Sequence, residues 1–183
     1  KLISVLKKIG FKVSEVDPCL MWRKCVLGLV LCAFHIDDLF CVGDKRALAQ
    51  MSKELKKYFA IKFADEINEY VGCKISKSSD NSKILVSQPQ LIDTLENIEI
   101  WEQDPKVTIP ARPGVILQRA IEESTIVGAK EHRSYREAVG KLLYVATKTR
   151  PEICNAVHEL SKHLDRPTDE HLKAANMVIN YVR

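Results

Sequence analysis

The chain has 183 residues, 46% hydrophobic and 28% charged, enough apolar material for a core of domain size and a composition unlike that of a long disordered chain. It contains no run of roughly 18 apolar residues, which excludes a membrane-spanning helix, and the opening KLISVLKKIGFK lacks the apolar centre and cleavage site of a secretory signal. A formal net charge of +4 permits contact with nucleic acid without demanding it.

A chain that starts at Lys1 reads as a segment of something longer. The six cysteines, Cys19, Cys25, Cys32, Cys41, Cys73 and Cys154, form no CxxC pair, and several lie in apolar runs. Without a secretory signal they read as reduced core residues of an intracellular protein, not as disulfides or a zinc site.

After a short N-terminal helical pattern and turn residues near Pro18, residues 26–35 (VLGLVLCAFH) form an almost unbroken apolar run. Such a run predicts a strand covered on both faces. Asp37 and Asp38 follow, then LFCV and Gly43, which predicts a β-hairpin with the carboxylates near its tip. Residues 45–59 predict a helix, because Leu48, Met51, Leu55 and Phe59 recur at steps of three and four while Lys53, Lys56 and Lys57 lie off that stripe. A second hairpin is expected from YVGCKI (70–75) and KILVSQ (83–88), joined by the turn-forming SKSSDNS.

Ser87-Gln-Pro-Gln90 matches a capping box with Pro89 in the first turn, predicting a helix to about Asn97. Residues 99–131 lack periodicity and carry Pro105, Pro110, Pro113 and Gly114, so they read as a linker. Beyond it three packed helices are expected. The first has an apolar face of Tyr135, Val139, Leu142, Leu143 and Ala146. The second follows another capping box at Thr149–Glu152 and shows Ile153, Ala156, Val157, Leu160 and Leu164. The third, from about 168, shows Leu172, Ala175, Ile179 and Val182.

The chemical centre is His35-Ile36-Asp37-Asp38. Mg²⁺ prefers oxygen ligands, and carboxylates on a rigid hairpin hold it without long flexible side chains. An isolated Asp-Asp at a strand end is ordinarily a solvated turn, so its surroundings must carry any further reading. Those surroundings are GFKVSEVDPCLMWRK (10–24), HIDDLFCVGD (35–44), YVGCKI (70–75), SQPQLIDTLE (87–96), YREAVGKLLYVATKTRPEICNAVHELSKHL (135–164) and HLKAANMVINYVR (171–183). In that order they resemble the copia-type LTR retrotransposon reverse transcriptases, from the second half of the palm to the helix that precedes the ribonuclease H domain. In that family a Tyr-Val-Asp-Asp box follows a GF-x-x-S-x-x-D-x-x-L stretch at similar spacing.

The resemblance implies an α+β fold: a partial polymerase palm of antiparallel hairpins plus helices over 1–98, a linker over 99–131, and a helical thumb or connection region over 132–183. It implies an RNA-directed DNA polymerase, a nucleotidyltransferase using Mg²⁺ or Mn²⁺. Asp37 matches the family's essential metal-binding aspartate and Asp38 its neighbour. Tyr70, Val71 and Gly72 fall on the primer grip, and His35 stands where the family has the tyrosine beside the primer terminus. Lys62 lies where palm polymerases often place a lysine that protonates the leaving pyrophosphate; a solvated lysine is its ordinary alternative.

The implied partners are an RNA or DNA primer–template, dNTPs and the remainder of the Pol polyprotein. No membrane is implied, and the implied location is intracellular, a cytoplasmic particle or the nucleus. The family's other metal-binding aspartate belongs to a D-V-x-x-A-F-L-like strand that does not occur between Lys1 and Cys19, and the fingers are also absent. The chain by itself is therefore expected to be inactive. A decayed or co-opted remnant that at most binds nucleic acid or a protein partner is the alternative. His35 also admits a metal-ligand reading, since neutral imidazole binds Zn²⁺ or Mn²⁺, although a satisfied strand histidine is more ordinary. His158 and His163 are five residues apart, share no helical face, and are expected to meet solvent or helix neighbours.

Overall fold

Alternating apolar side chains build a sheet into the first third of the chain. A computed structural model describes residues 1–36, 38–64, 67–122 and 125–183. The chain divides into two units, Lys1–Val71 and Gly72–Arg183, each described by itself. It is a mixed α+β fold with antiparallel strand pairing.

The first unit runs through helix α1 (Leu2–Lys8), β1 (Lys12–Val13), β2 (Leu20–Cys25), β3 (Gly28–His35), β4 (Asp38–Gly43), helix α2 (Lys45–Leu55) and the short β5 (Glu69–Tyr70). Strands β1 to β4 form an antiparallel meander in chain order. Met21, Val30 and Cys32 point to one face and pack with Leu6 of α1, Phe11, and Ala47, Met51 and Leu55 of α2. Full burial of each large apolar side chain contributes about 1.5–3 kcal/mol. Arg23 lies on the same face. Its Nη1 donates to the Ile9 carbonyl at 2.8 Å and to a Glu54 carboxylate oxygen at 2.5 Å, and the guanidinium lies 5.0 Å from the Phe11 ring centre. Those partners let a charge sit in the core.

Strand β3 departs from the expected cover on both faces. Val30 and Cys32 are buried, whereas Leu29 and Leu31 are each 41% exposed. Both edges of β3 are paired, to β2 and β4, so the surplus of the apolar run appears as an open face, which Trp22 and Val42 share in one row with Leu31. Gly28, at φ +126, begins this strand because a Cβ there would sit 2.0 Å from Oδ2 of Asp44, the atom that accepts the Leu29 N–H at 2.8 Å. Helix α2 stops at Leu55, short of the expected 59, with Phe59 still packed on the core.

The second unit starts with the hairpin of β6 (Cys73–Lys77) and β7 (Ile84–Ser87). The expected strand 70–75 is interrupted, because Val71 (φ 49) and Gly72 (φ 66) are both left-handed and make a turn. Helix α3 (Pro89–Asp93) continues as a 3₁₀ turn, Thr94–Asn97, and is followed by α4 (Ala129–Lys148), the 3₁₀ turn Pro151–Ile153, α5 (Cys154–Ser161) and α6 (Asp169–Val182). Tyr135, Val139 and Leu142 of α4, Val157 and Leu160 of α5, and Ala175 and Ile179 of α6 form one core with Leu95 and Ile98. Leu143, expected on that face, is 47% exposed, and Val145 takes its place.

The capping boxes expected at 87–90 and 149–152 do not form. Gln88 and Arg150 hold the N-cap positions, and the Thr149 hydroxyl donates to Oε1 of buried Gln88 at 2.8 Å, tying the end of α4 to the start of α3. A capping box forms instead at α6, between Thr168 and His171. Within the stretch read as a linker, Ile100, Trp101 and Leu117 pack on the helical core. Asn176 and Asn180 of α6 clasp the backbone of Glu102 and Asp104 with hydrogen bonds of 2.8–2.9 Å. The division at Val71 and Gly72 groups the β6–β7 hairpin with the C-terminal helices.

Candidate functional site

The hairpin of β3 and β4 closes on the pair His35 and Asp38, and Ile36 follows His35 into its loop. Two-residue loops of this kind favour φ > 0, and Ile36 obeys with φ 53 and 83% exposure. A β-branched residue is poorly suited to that region, so the tip holds local strain. Asp37, the residue on which most of the expected chemistry falls, lies outside the described residues. Asp38 is exposed at the start of β4. The hairpin therefore presents Asp38 to solvent at its tip, as the alternation of polar and apolar residues required.

Residues directly opposite share a face, so His35, Asp38, Ala33 and Phe40 all lie on the face away from α1 and α2. Tyr70 joins them there. Its ring packs on Phe40 with centroids 5.3 Å apart. Burial pushes the Tyr70 phenol above its ordinary pKa, and the charge of Asp38 and the thiols of Cys19 and Cys41 push it further the same way. Of the residues singled out from sequence, the structure brings Tyr70 beside Asp38. Val71 and Gly72 form the turn that follows Tyr70. Lys62 is exposed in irregular chain after α2 and has no hydrogen bond or ion pair among the described residues.

Among the described residues no three His, Cys, Asp or Glu side chains gather around a common point. Zinc needs three or four protein ligands, and the described residues do not gather such a set around His35. Mg²⁺ asks for less, commonly one or two carboxylates completed by water and substrate phosphates. An exposed Asp38 at the start of β4 fits one such ligand.

Other expectations change. Cys19 and Cys154 are exposed, Cys25 and Cys41 partly so, and Cys32 and Cys73 are buried, all free thiols; only the last two are fully core residues. Of the two surroundings expected for His163, solvent or a helix neighbour, the structure shows the second. His163 is buried and stacked on buried His171, ring centroids 4.0 Å apart. Phe40 as the platform for Tyr70 was readable only from register, since period-two counting from Asp38 puts it on the same face.

A mixed α+β chain with an acidic, solvent-exposed hairpin tip and an aromatic residue packed beside it is what the geometry defines. Along essentially its whole length this chain is similar to Pol polyproteins of retrotransposons. It is 28% identical over 188 aligned positions to the retrovirus-related Pol polyprotein from transposon TNT 1-94 of Nicotiana tabacum, covering 100% of the chain and 14% of that polyprotein. It is 29% identical over 185 positions to the one from transposon RE1 of Arabidopsis thaliana, covering 12% of it. The putative transposon Ty5-1 protein of Saccharomyces cerevisiae is 28% identical over 180 positions, which cover 98% of the chain and 57% of that protein. The chain thus spans a small part of the two polyproteins and just over half of the yeast protein. No family model and no solved structure matches. No helix among the described residues is long and apolar enough to cross a membrane.

Proposed function

We propose that the chain is a portion of a retrotransposon RNA-directed DNA polymerase, in which residues 1–98 form part of the palm and residues 132–183 part of the thumb or connection region. The observation that carries this reading is the exposed Asp38 at the tip of the β3–β4 hairpin, the second residue of the Asp37-Asp38 sequence pair, in a chain colinear with Pol polyproteins over its whole length. Asp37 and Asp38 would hold Mg²⁺ together with a carboxylate from elsewhere in the polyprotein, water and dNTP phosphates. When bound, the metal neutralises charge that develops on the transferred phosphate. Tyr70, packed on Phe40 beside Asp38, gives the primer's 3′ end an aromatic surface near the carboxylates. His35 lies on the same face, and Lys62 is the proton donor to the leaving pyrophosphate.

The test is dNTP incorporation on an RNA or DNA primer–template by the longest reading frame that carries this sequence. Incorporation should fall roughly 100-fold or more in Asp37→Asn, and less in Asp38→Asn. Salt-dependent binding of the duplex with no incorporation by the parent sequence would instead favour a non-catalytic remnant.

A further inference from the structure

Beneath the acidic tip, on the face packed against α1 and α2, Cys32 of β3 stands directly opposite Cys41 of β4. Their sulfurs are 3.3 Å apart. Opposite residues in an antiparallel pair alternate between hydrogen-bonded positions and closer, non-hydrogen-bonded ones. The Asp44 N–H donates to the Leu29 carbonyl at 3.0 Å, which makes Leu29 and Asp44 a hydrogen-bonded pair. Counting along the unbroken register makes Cys32 and Cys41 a non-hydrogen-bonded one. Such pairs hold Cα atoms about 4.5 Å apart, inside the roughly 4.4–6.8 Å range that a disulfide spans. The sulfurs need to close by little more than an ångström to reach a bond of about 2.05 Å.

We propose that Cys32 and Cys41 form a reversible cross-strand disulfide, by exchange with a small-molecule disulfide such as oxidised glutathione, that clamps the hairpin carrying residues 35–38. The two cysteines have different parts. Cys41 is partly exposed, while Cys32 is fully buried. The Cys32 and Cys41 sulfurs share a hydrogen bond, which lowers the Cys41 pKa against the opposing effect of burial and raises that of Cys32. The Cys41 thiolate therefore attacks glutathione disulfide, breaking its S–S bond and releasing one glutathione thiolate. Cys32 then loses its proton, attacks the Cys41 sulfur and expels the second glutathione. The balance is two protein thiols and one glutathione disulfide giving one protein disulfide and two glutathione thiols. Formation is independent of what residues 35–38 bind. Its consequence is a pinned β3–β4 register at the strained tip.

The folded chain, equilibrated in glutathione buffers of rising oxidised fraction, acid-quenched, alkylated with N-ethylmaleimide and digested with trypsin, decides the matter. Peptide 25–45 contains Cys25, Cys32 and Cys41. Oxidation should leave it two hydrogens lighter with a single label, on Cys25, and dithiothreitol should restore three labels. The loss should persist in Cys25→Ser and disappear in Cys41→Ser. Three labels at every buffer ratio, a glutathione adduct that never resolves, or a disulfide that survives in Cys41→Ser would each overturn the proposal. The wild-type mapping stands without any variant.

Discussion

Ile36 sits at φ 53 with its side chain in solvent, so its conformation is imposed by the hairpin and not by packing. Asparagine tolerates the left-handed region far better than a β-branched residue. Ile36→Asn should stabilise the chain by about 1 kcal/mol, seen as a higher denaturant midpoint at unchanged slope. Arg23 makes the opposite case. Its side chain is 8% exposed and its partner Glu54 24%. Burial pushes the Glu54 carboxyl up, but hydrogen bonds from Arg23 and Gln50 and the charges of Arg23 and Lys57 hold it below its ordinary 4.5. Stability from this pair is complete above that value and declines as pH falls through the lowered folded-state pKa. Glu54→Ala leaves a buried guanidinium short of a partner and should cost about 2 kcal/mol. Arg23→Met, which removes the charge and keeps the volume, should cost less in the same urea titration.

At the scale of elements, the turn that follows α5 meets α6 through the stacked rings of His163 and His171. Nδ1 of His171 accepts the Thr168 N–H at 2.9 Å and completes the cap of α6. Burial lowers both histidine pKa values. For His171 the charge of His163 adds to the lowering, whereas Asp165 and Glu159 oppose it at His163 and Lys162 and Arg119 reinforce it. A histidine held neutral in the fold binds fewer protons than in the unfolded chain. Stability should therefore be full above about 6.5 and fall as pH drops from there towards the lowered folded-state values. Thermal melts between pH 8 and pH 5 check this, and His163→Phe, which keeps a ring in the stack, should flatten the decline. Helix periodicity exposed the apolar stripes of α4, α5 and α6 in advance. It missed His171, because a histidine at the third position of a helix reads as polar surface until a neighbouring element covers it. Similarly, Thr149 was read as a local cap, but its hydroxyl found the buried amide of Gln88 from a distant part of the chain.

For the molecule as a whole, the open face of the β1–β4 sheet is the main liability. Leu29 and Leu31 at 41% exposure and Val42 at 51% lie on adjacent strands, forming an apolar surface of the kind that promotes association. Leu31→Lys should raise the concentration at which the chain begins to self-associate, measured by light scattering, while leaving the unfolding midpoint nearly unchanged. It is a face of β3 and not an edge that is open, because β3 is a central strand paired on both sides.

The amino-acid sequence by itself determined the β3–β4 hairpin with Asp38 near its tip, the amphipathic helices and the colinear likeness to Pol polyproteins. These depend on local periodicity, turn chemistry and residue order, which a chain carries before it folds. Only the tertiary structure decided which side of β3 is covered, that the backbone of Glu102 and Asp104 is clasped by Asn176 and Asn180, that Tyr70 rests on Phe40 beside Asp38, and that Cys32 meets Cys41. Each of these depends on sheet register or on residues far apart in sequence. A shift of one residue in strand pairing would send the same side chains to opposite faces.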